Sequence, residues 1–134
     1  MKLSTLSSLK RRKFRILLVE DENIVAMDIK NMLMELGYLV CGPVSSGKEA
    51  IKSVKEKNPG LVLMDIKLKG EMDGIEASKR IHKIINIPII YMTSHTDNQT
   101  INRAKKTNHQ GYLVKPLQKF EIKNIIDQVI KNEG

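Results

Sequence analysis

From Phe14 onward the chain alternates between two hydrophobic periods. Short apolar runs read RILLV (15–19), YLVCG (38–42), LVLMD (61–65), IPIIYM (87–92) and GYLV (111–114). Their length and near-continuous apolar character predict buried strands. Between them, apolar residues recur at helical spacing. Val25, Ile29, Met32, Leu33 and Leu36 form one stripe, closed by Gly37. Ala50, Ile51 and Val54 mark a second helix over 47–57. Ile75, Ser78, Ile81 and Ile85 mark a third that begins after Asp73, which has capping-box spacing to Glu76. The fourth helix is weakly apolar, with Ile101 and Ala104 its only obvious inward residues. The last carries Ile122, Ile125, Ile126, Val129 and Ile130.

Five strand–helix units with apolar strands imply a parallel sheet covered on both faces. Right-handed crossovers make this an α/β, flavodoxin-like, doubly wound (βα)5 sandwich with strand order 2-1-3-4-5. Residues 14–134 read as a single domain without internal repeats. In such a sheet, ligands bind beyond the carboxyl ends of the strands, at the switch point between strands one and three. The residues there are Glu20 and Asp21 after strand one, Asp65 ending strand three, Thr93 and Ser94 after strand four, and Lys115 and Pro116 after strand five. Singly, a strand-end acid is often a helix cap and a lysine is often solvated. Together, at the one edge where this architecture holds ligands, they form a candidate site.

Composition adds limits. The 134 residues are 41% hydrophobic and 28% charged, ordinary for a globular domain, and no apolar run is long enough to cross a membrane. One cysteine, Cys41, excludes a disulfide framework and suits a reducing cytoplasm. His82, His95 and His109 lack metal-ligand spacing and are expected to be ordinary surface or boundary residues. The net charge of +8 is concentrated: residues 1–13 hold Lys2, Lys10, Arg11, Arg12 and Lys13 and no acid, leaving about +3 for the rest. Such a basic, Ser-rich tail is expected to be a disordered, solvated extension, so no direct nucleic-acid binding is expected.

GPVSSGKE (42–49) nearly spells a phosphate-binding loop, with Gly42, Gly47 and Lys48 in register but Glu49 in place of the Mg²⁺-binding Ser or Thr. Ser46 and Glu49 have capping-box spacing, and Pro43 removes an N–H that a phosphate cradle would use. The stretch is expected to be a turn and a helix start.

Three clustered carboxylates repel one another and need a cation. All-oxygen ligation favours Mg²⁺, which can neutralise a phosphoryl group in transfer while Lys115 supplies a second positive charge. Thr93 can donate a hydrogen bond to a phosphoryl oxygen, and an Asp carboxylate is a competent nucleophile.

The segments LLVEDE, LVLMDIKLKGEMDGIEA, YMTS and GYLVKP, in this order from about Arg15 to the last helix, closely resemble the signature segments of receiver domains of two-component response regulators. The resemblance implies that Asp65 is the phosphoacceptor and that Glu20 and Asp21 are the metal-binding pair, Asp21 directly and Glu20 through water. It adds the Lys67 backbone carbonyl as a ligand, Thr93 and Tyr112 as a switch pair, Lys115 as the phosphate-contacting lysine and a cis bond to Pro116. Lys67 and His95 stand where receivers tune acyl-phosphate lifetime. The implied partners are a histidine kinase or phosphotransfer protein, and a downstream protein reached through the fourth helix, fifth strand and fifth helix. Homodimerisation on phosphorylation is a further expectation. Such a module modifies only itself and is not otherwise an enzyme. It either stands alone or belongs to a larger hybrid sensor or multidomain regulator.

A haloacid dehalogenase-type phosphatase also phosphorylates a strand-end Asp, but it uses a second Asp two residues later, where this chain has Lys67. A dinucleotide-binding domain would need G-x-G-x-x-G after the first strand, where this chain has EDEN.

Overall fold

The computed structural model describes residues 14–94, 98–107 and 109–133. The basic tail and His95 lie outside the described residues. Five strands alternate with five helices: β1 (Arg15–Val19), α1 (Asn23–Glu35), β2 (Leu39–Val44), α2 (Gly47–Lys57), β3 (Leu61–Asp65), α3 (Gly74–His82), β4 (Ile89–Thr93), α4 (Asn98–Lys105), β5 (Gly111–Val114) and α5 (Lys119–Glu133). All strand pairs are parallel, in the order β2-β1-β3-β4-β5.

Successive strand side chains point to opposite faces, so every strand feeds two cores. Ile16, Leu18, Leu61, Leu63, Ile90 and Met92 pack with Ile29 and Leu33 of α1 and Ile122 and Ile126 of α5. Leu17, Val19, Val62, Met64, Ile89 and Tyr91 pack with Ala50 and Val54 of α2, Ile75 and Ile81 of α3 and Ala104 of α4. Two helices therefore cover one face and three the other. Ala104 is the only buried residue of α4.

The helix ends follow the local chemistry. Gly37 adopts φ +94°, and the Tyr38 N–H reaches back to the Leu33 carbonyl (3.1 Å), closing α1. The Glu49 N–H donates to Ser46 Oγ (3.1 Å) while Glu49 Oε2 accepts the Ser45 N–H (3.1 Å), so GPVSSGKE is a capped helix start. Asp73 Oδ1 accepts the Glu76 N–H (2.9 Å) at the start of α3. Ser46→Ala is expected to lower stability by about 1 kcal/mol in urea denaturation, the usual cost of a lost N-cap. An unchanged midpoint would remove that role.

Three boundaries differ from the sequence pattern. β2 runs through Gly42 and Pro43 to Val44 instead of ending at Gly42: it is an edge strand, and a register shift opposite Leu18 accommodates Pro43, which has no N–H to donate, before pairing resumes between Val19 and Val44. The Gly42–Pro43 bond is cis, as is Lys115–Pro116. α3 ends at His82, and Ile85 packs on the core from the turn that follows. β4 covers 89–93, because Ile87 and Pro88 lead into it and only the Pro88 carbonyl joins the ladder, accepting the Val62 N–H.

Candidate functional site

β1 and β3 are neighbours whose connections leave to opposite sides, which opens a crevice at their carboxyl ends. β1 runs directly into Glu20 and Asp21, Asp65 is the last residue of β3, and Lys115 follows β5. Oxygens of the Glu20, Asp21 and Asp65 carboxylates all lie within 4.8 Å of one another. Glu20 and Asp65 are buried, only 2% and 4% exposed, while Asp21 is half-buried. The Lys115 ammonium donates to Glu20 Oε1 and stands 3.2 Å from Asp65 Oδ2.

The surrounding backbone orients the acids. The extended β2 matters here: the Glu20 N–H donates to the Val44 carbonyl (2.9 Å), so the last residue of the edge strand fixes the site's first acid. Glu20 Oε2 accepts the Glu22 N–H (3.1 Å). Asp21 Oδ2 accepts the Lys69 N–H (3.0 Å), tying it to the loop that leaves β3. The Lys115 N–H donates to the Thr93 carbonyl (2.8 Å), carrying the β4–β5 ladder to the site's edge.

The Asp65 carboxyl is raised from 3.8 to about 7: burial is the largest cause, the Lys115 charge and hydrogen bond act downward, and the Glu20 charge and hydrogen bond act upward. For Lys115, burial acts downward, but the hydrogen bond to Glu20 and the charges of Asp65 and Glu20 outweigh it and hold the ammonium above its usual range. One ammonium facing three carboxylates leaves the site short of positive charge. Its donors are all hard oxygens, so the residues present fit a divalent cation such as Mg²⁺.

The structure thus brings together Glu20, Asp21, Asp65 and Lys115. Thr93, 3% exposed, sits at the end of the adjacent strand β4, and Lys67 is exposed in the loop after β3. Tyr112 lies on β5 and is 42% exposed.

Two participants escaped the sequence reading. Lys69 acts through its backbone N–H, which leaves no signature in sequence. Gly74 allows α3 to start against the end of β3: a Cβ there would lie 2.0 Å from the Asp65 carbonyl oxygen, and the Gly74 N–H donates to the Ile66 carbonyl (2.8 Å). A glycine in the first turn of a helix is a poor helix former, and that was the available signal.

A doubly wound sheet with a strand-end Asp, an acidic pair and a lysine defines the class of phospho-accepting signalling modules. Residues 16–127 match the family model of the response regulator receiver domain, and the chain belongs to that family. It is 35% identical over 115 residues to the transcriptional regulatory protein PdtaR of Mycobacterium tuberculosis, covering 86% of this chain and 54% of PdtaR. It is 34% identical over 118 residues to the chemotaxis protein CheY of Thermotoga maritima, covering 87% of this chain and 98% of CheY. The chain therefore spans about half the length of the first relative and nearly all of the second. The receiver domain of sensor histidine kinase PA1611 from Pseudomonas aeruginosa, solved with a magnesium ion in its active-site cleft, superposes with a TM-score of 0.81 at 30% identity, covering 88% of this chain and 98% of that one.

Proposed function

We propose that Asp65 accepts a phosphoryl group from a histidine kinase, a phosphotransfer protein or a small donor such as acetyl phosphate, and that the charge change drives a signalling switch. The observation that carries this is a buried strand-end carboxylate with two further carboxylates within 4.8 Å and an ammonium 3.2 Å away. Asp65 Oδ attacks phosphorus, and the bond to the donor breaks with its electron pair leaving on the donor atom. Glu20, Asp21, Asp65 and the Lys67 carbonyl would hold Mg²⁺, which when bound supplies positive charge to the phosphoryl oxygens.

Lys115 exchanges its contact with Glu20 for a phosphoryl oxygen, and the Thr93 hydroxyl donates a second bond. Movement of Thr93 gives the Tyr112 ring room to turn inward against α4. The surface so changed, α4, β5 and α5, meets a downstream protein or a second copy of the chain. The module modifies only itself and works in the cytoplasm; among the described residues no helix is long and apolar enough to cross a membrane. Lys67 and His95 tune the lifetime of the acyl phosphate.

Labelling with acetyl phosphate and Mg²⁺, read by intact mass, tests the assignment. Asp65→Asn is expected to lose labelling, and Asp21→Ala to lose its dependence on Mg²⁺. Labelling of Asp65→Asn to the wild-type extent would overturn the phosphoacceptor.

A further inference from the structure

A second charged feature lies at the opposite edge of the sheet from Asp65. The last turn of α3 and the end of α4 precede β4 and β5, so both sit at the amino ends of the strands. Between them is an open cleft of about 760 Å³, lined by Lys79, Arg80, Lys83 and Lys106 against one acid, Glu76. Arg80 is already held by Glu76 (3.4 Å). Lys79, Lys83 and Lys106 are exposed and form no ion pair with any described residue.

Part of this charge has a local use. Each helix C-terminus carries roughly half a negative charge, which cations in the last turn complement. Two such ends offset about one elementary charge, and the cleft holds four cations against a single acid. The excess is not explained by the helices.

The walls are firm. The Tyr91 hydroxyl, from a fully buried residue of β4, hydrogen-bonds to Thr107 Oγ1 (2.8 Å), which donates to the Ala104 carbonyl (2.7 Å) and pins the end of α4. On the other side His82 Nε2 meets the Ile87 carbonyl at 3.0 Å, fixing the end of α3.

We infer that this cleft is a docking surface for an acidic peptide segment of a partner protein, independent of phosphoryl transfer at Asp65. Charge complementarity selects an anion, and three features select a peptide. The cations converge from two helices onto a concavity, which receives a narrow chain of carboxylates and does not match the convex surface of a nucleic-acid duplex. No Phe, Tyr or Trp lines the cleft, and its one imidazole, His82, is engaged by the Ile87 carbonyl (3.0 Å), so it offers no broad platform for stacked bases. Its unpaired cations are all lysines, hydrated point charges that suit a fast, salt-sensitive encounter and lack the bidentate fork favoured for phosphate.

The experiment is amide chemical-shift mapping of the full chain titrated with a short polyglutamate peptide at low salt, with duplex DNA of equal charge as a second probe. Residues 1–13 carry five cations of their own, so site-specific shifts, not overall affinity, are the readout. Perturbations at 79–83 and 104–107 are expected with the peptide. They should weaken by at least about tenfold in affinity in the triple variant Lys79→Glu, Lys83→Glu, Lys106→Glu, whose exposed positions leave the core untouched, and they should fade as added salt shortens the Debye length to about 8 Å or less. Shifts confined to other residues, or equal affinity in the triple variant, overturn the proposal. Tighter binding of DNA than of peptide at this cleft overturns it in favour of nucleic acid.

Discussion

Gly74→Ala is expected to destabilise the domain by about 3 kcal/mol and to displace the phosphoacceptor with it. Position 74 opens α3, and an alanine in a helix is ordinarily worth up to about 1 kcal/mol more than glycine. Here the added Cβ would stand 2.0 Å from the Asp65 carbonyl oxygen, 2.9 Å from its carbonyl carbon and 3.0 Å from Ile66 Cα. All three contacts are backbone, so no side chain can rotate away. Relief requires α3 to withdraw from β3, which breaks the Gly74 N–H bond to the Ile66 carbonyl and loosens Ile75 from the core. Urea denaturation of the variant measures the cost. A variant as stable as wild type would mean that the helix start is not wedged against the strand end. Gly70→Ala is the companion: Gly70 has φ +103° with nothing within 4 Å of its Cβ position, so only about 1–2 kcal/mol of backbone strain is expected.

The site was legible because each of its side chains sits next to a buried apolar run. RILLV fixes Glu20 and Asp21 at a strand end, and LVLMD does the same for Asp65. A right-handed, doubly wound chain then leaves one place for those ends to meet. What failed to show in the sequence was backbone chemistry. Gly42 and Pro43 read as the end of a strand, yet β2 continues to Val44, whose carbonyl receives the Glu20 N–H. The hold of Lys69 on Asp21 spans 48 positions and involves no side chain of the lysine.

The face around Tyr112 shows a further limit. Period-two alternation puts Tyr112 and Val114 on one side of β5, and the sparse apolar content of the fourth helix foretells a thin cover there. The structure leaves them 42% and 44% exposed, with Phe120 of α5 65% exposed. The sequence also treats Tyr91 as one more apolar strand residue. Only the fold brings its hydroxyl to Thr107, because the contact depends on where α4 ends.

In metal-free buffer, stability is expected to fall as pH rises through about 7, and Asp65→Asn is expected to abolish most of that fall. The Asp65 carboxyl titrates near 3.8 in an unfolded chain and at about 7 in the fold, where burial and Glu20 oppose its charge. A folded-state value above the unfolded one means that the native protein binds this proton more tightly. The stabilisation is therefore complete below about pH 4 and is lost as pH climbs through about 7. Lys115, held above its usual range, keeps its charge throughout this window. At about 1.4 kcal/mol per unit, the loss amounts to roughly 2–4 kcal/mol by pH 8. Asn keeps the shape of the acid without its charge, so the variant's advantage over wild type should be small at pH 5 and larger at pH 8. Saturating Mg²⁺ should restore the wild type at pH 8, since a divalent cation among Glu20, Asp21 and Asp65 favours the ionised form. Urea titrations of both proteins in chelator at pH 5 and pH 8 give the comparison directly, because other titrating groups cancel in the difference. If wild type and variant differ by the same amount at both pH values, the Asp65 carboxylate is not held against its charge, and the site has no deficit for a cation to fill.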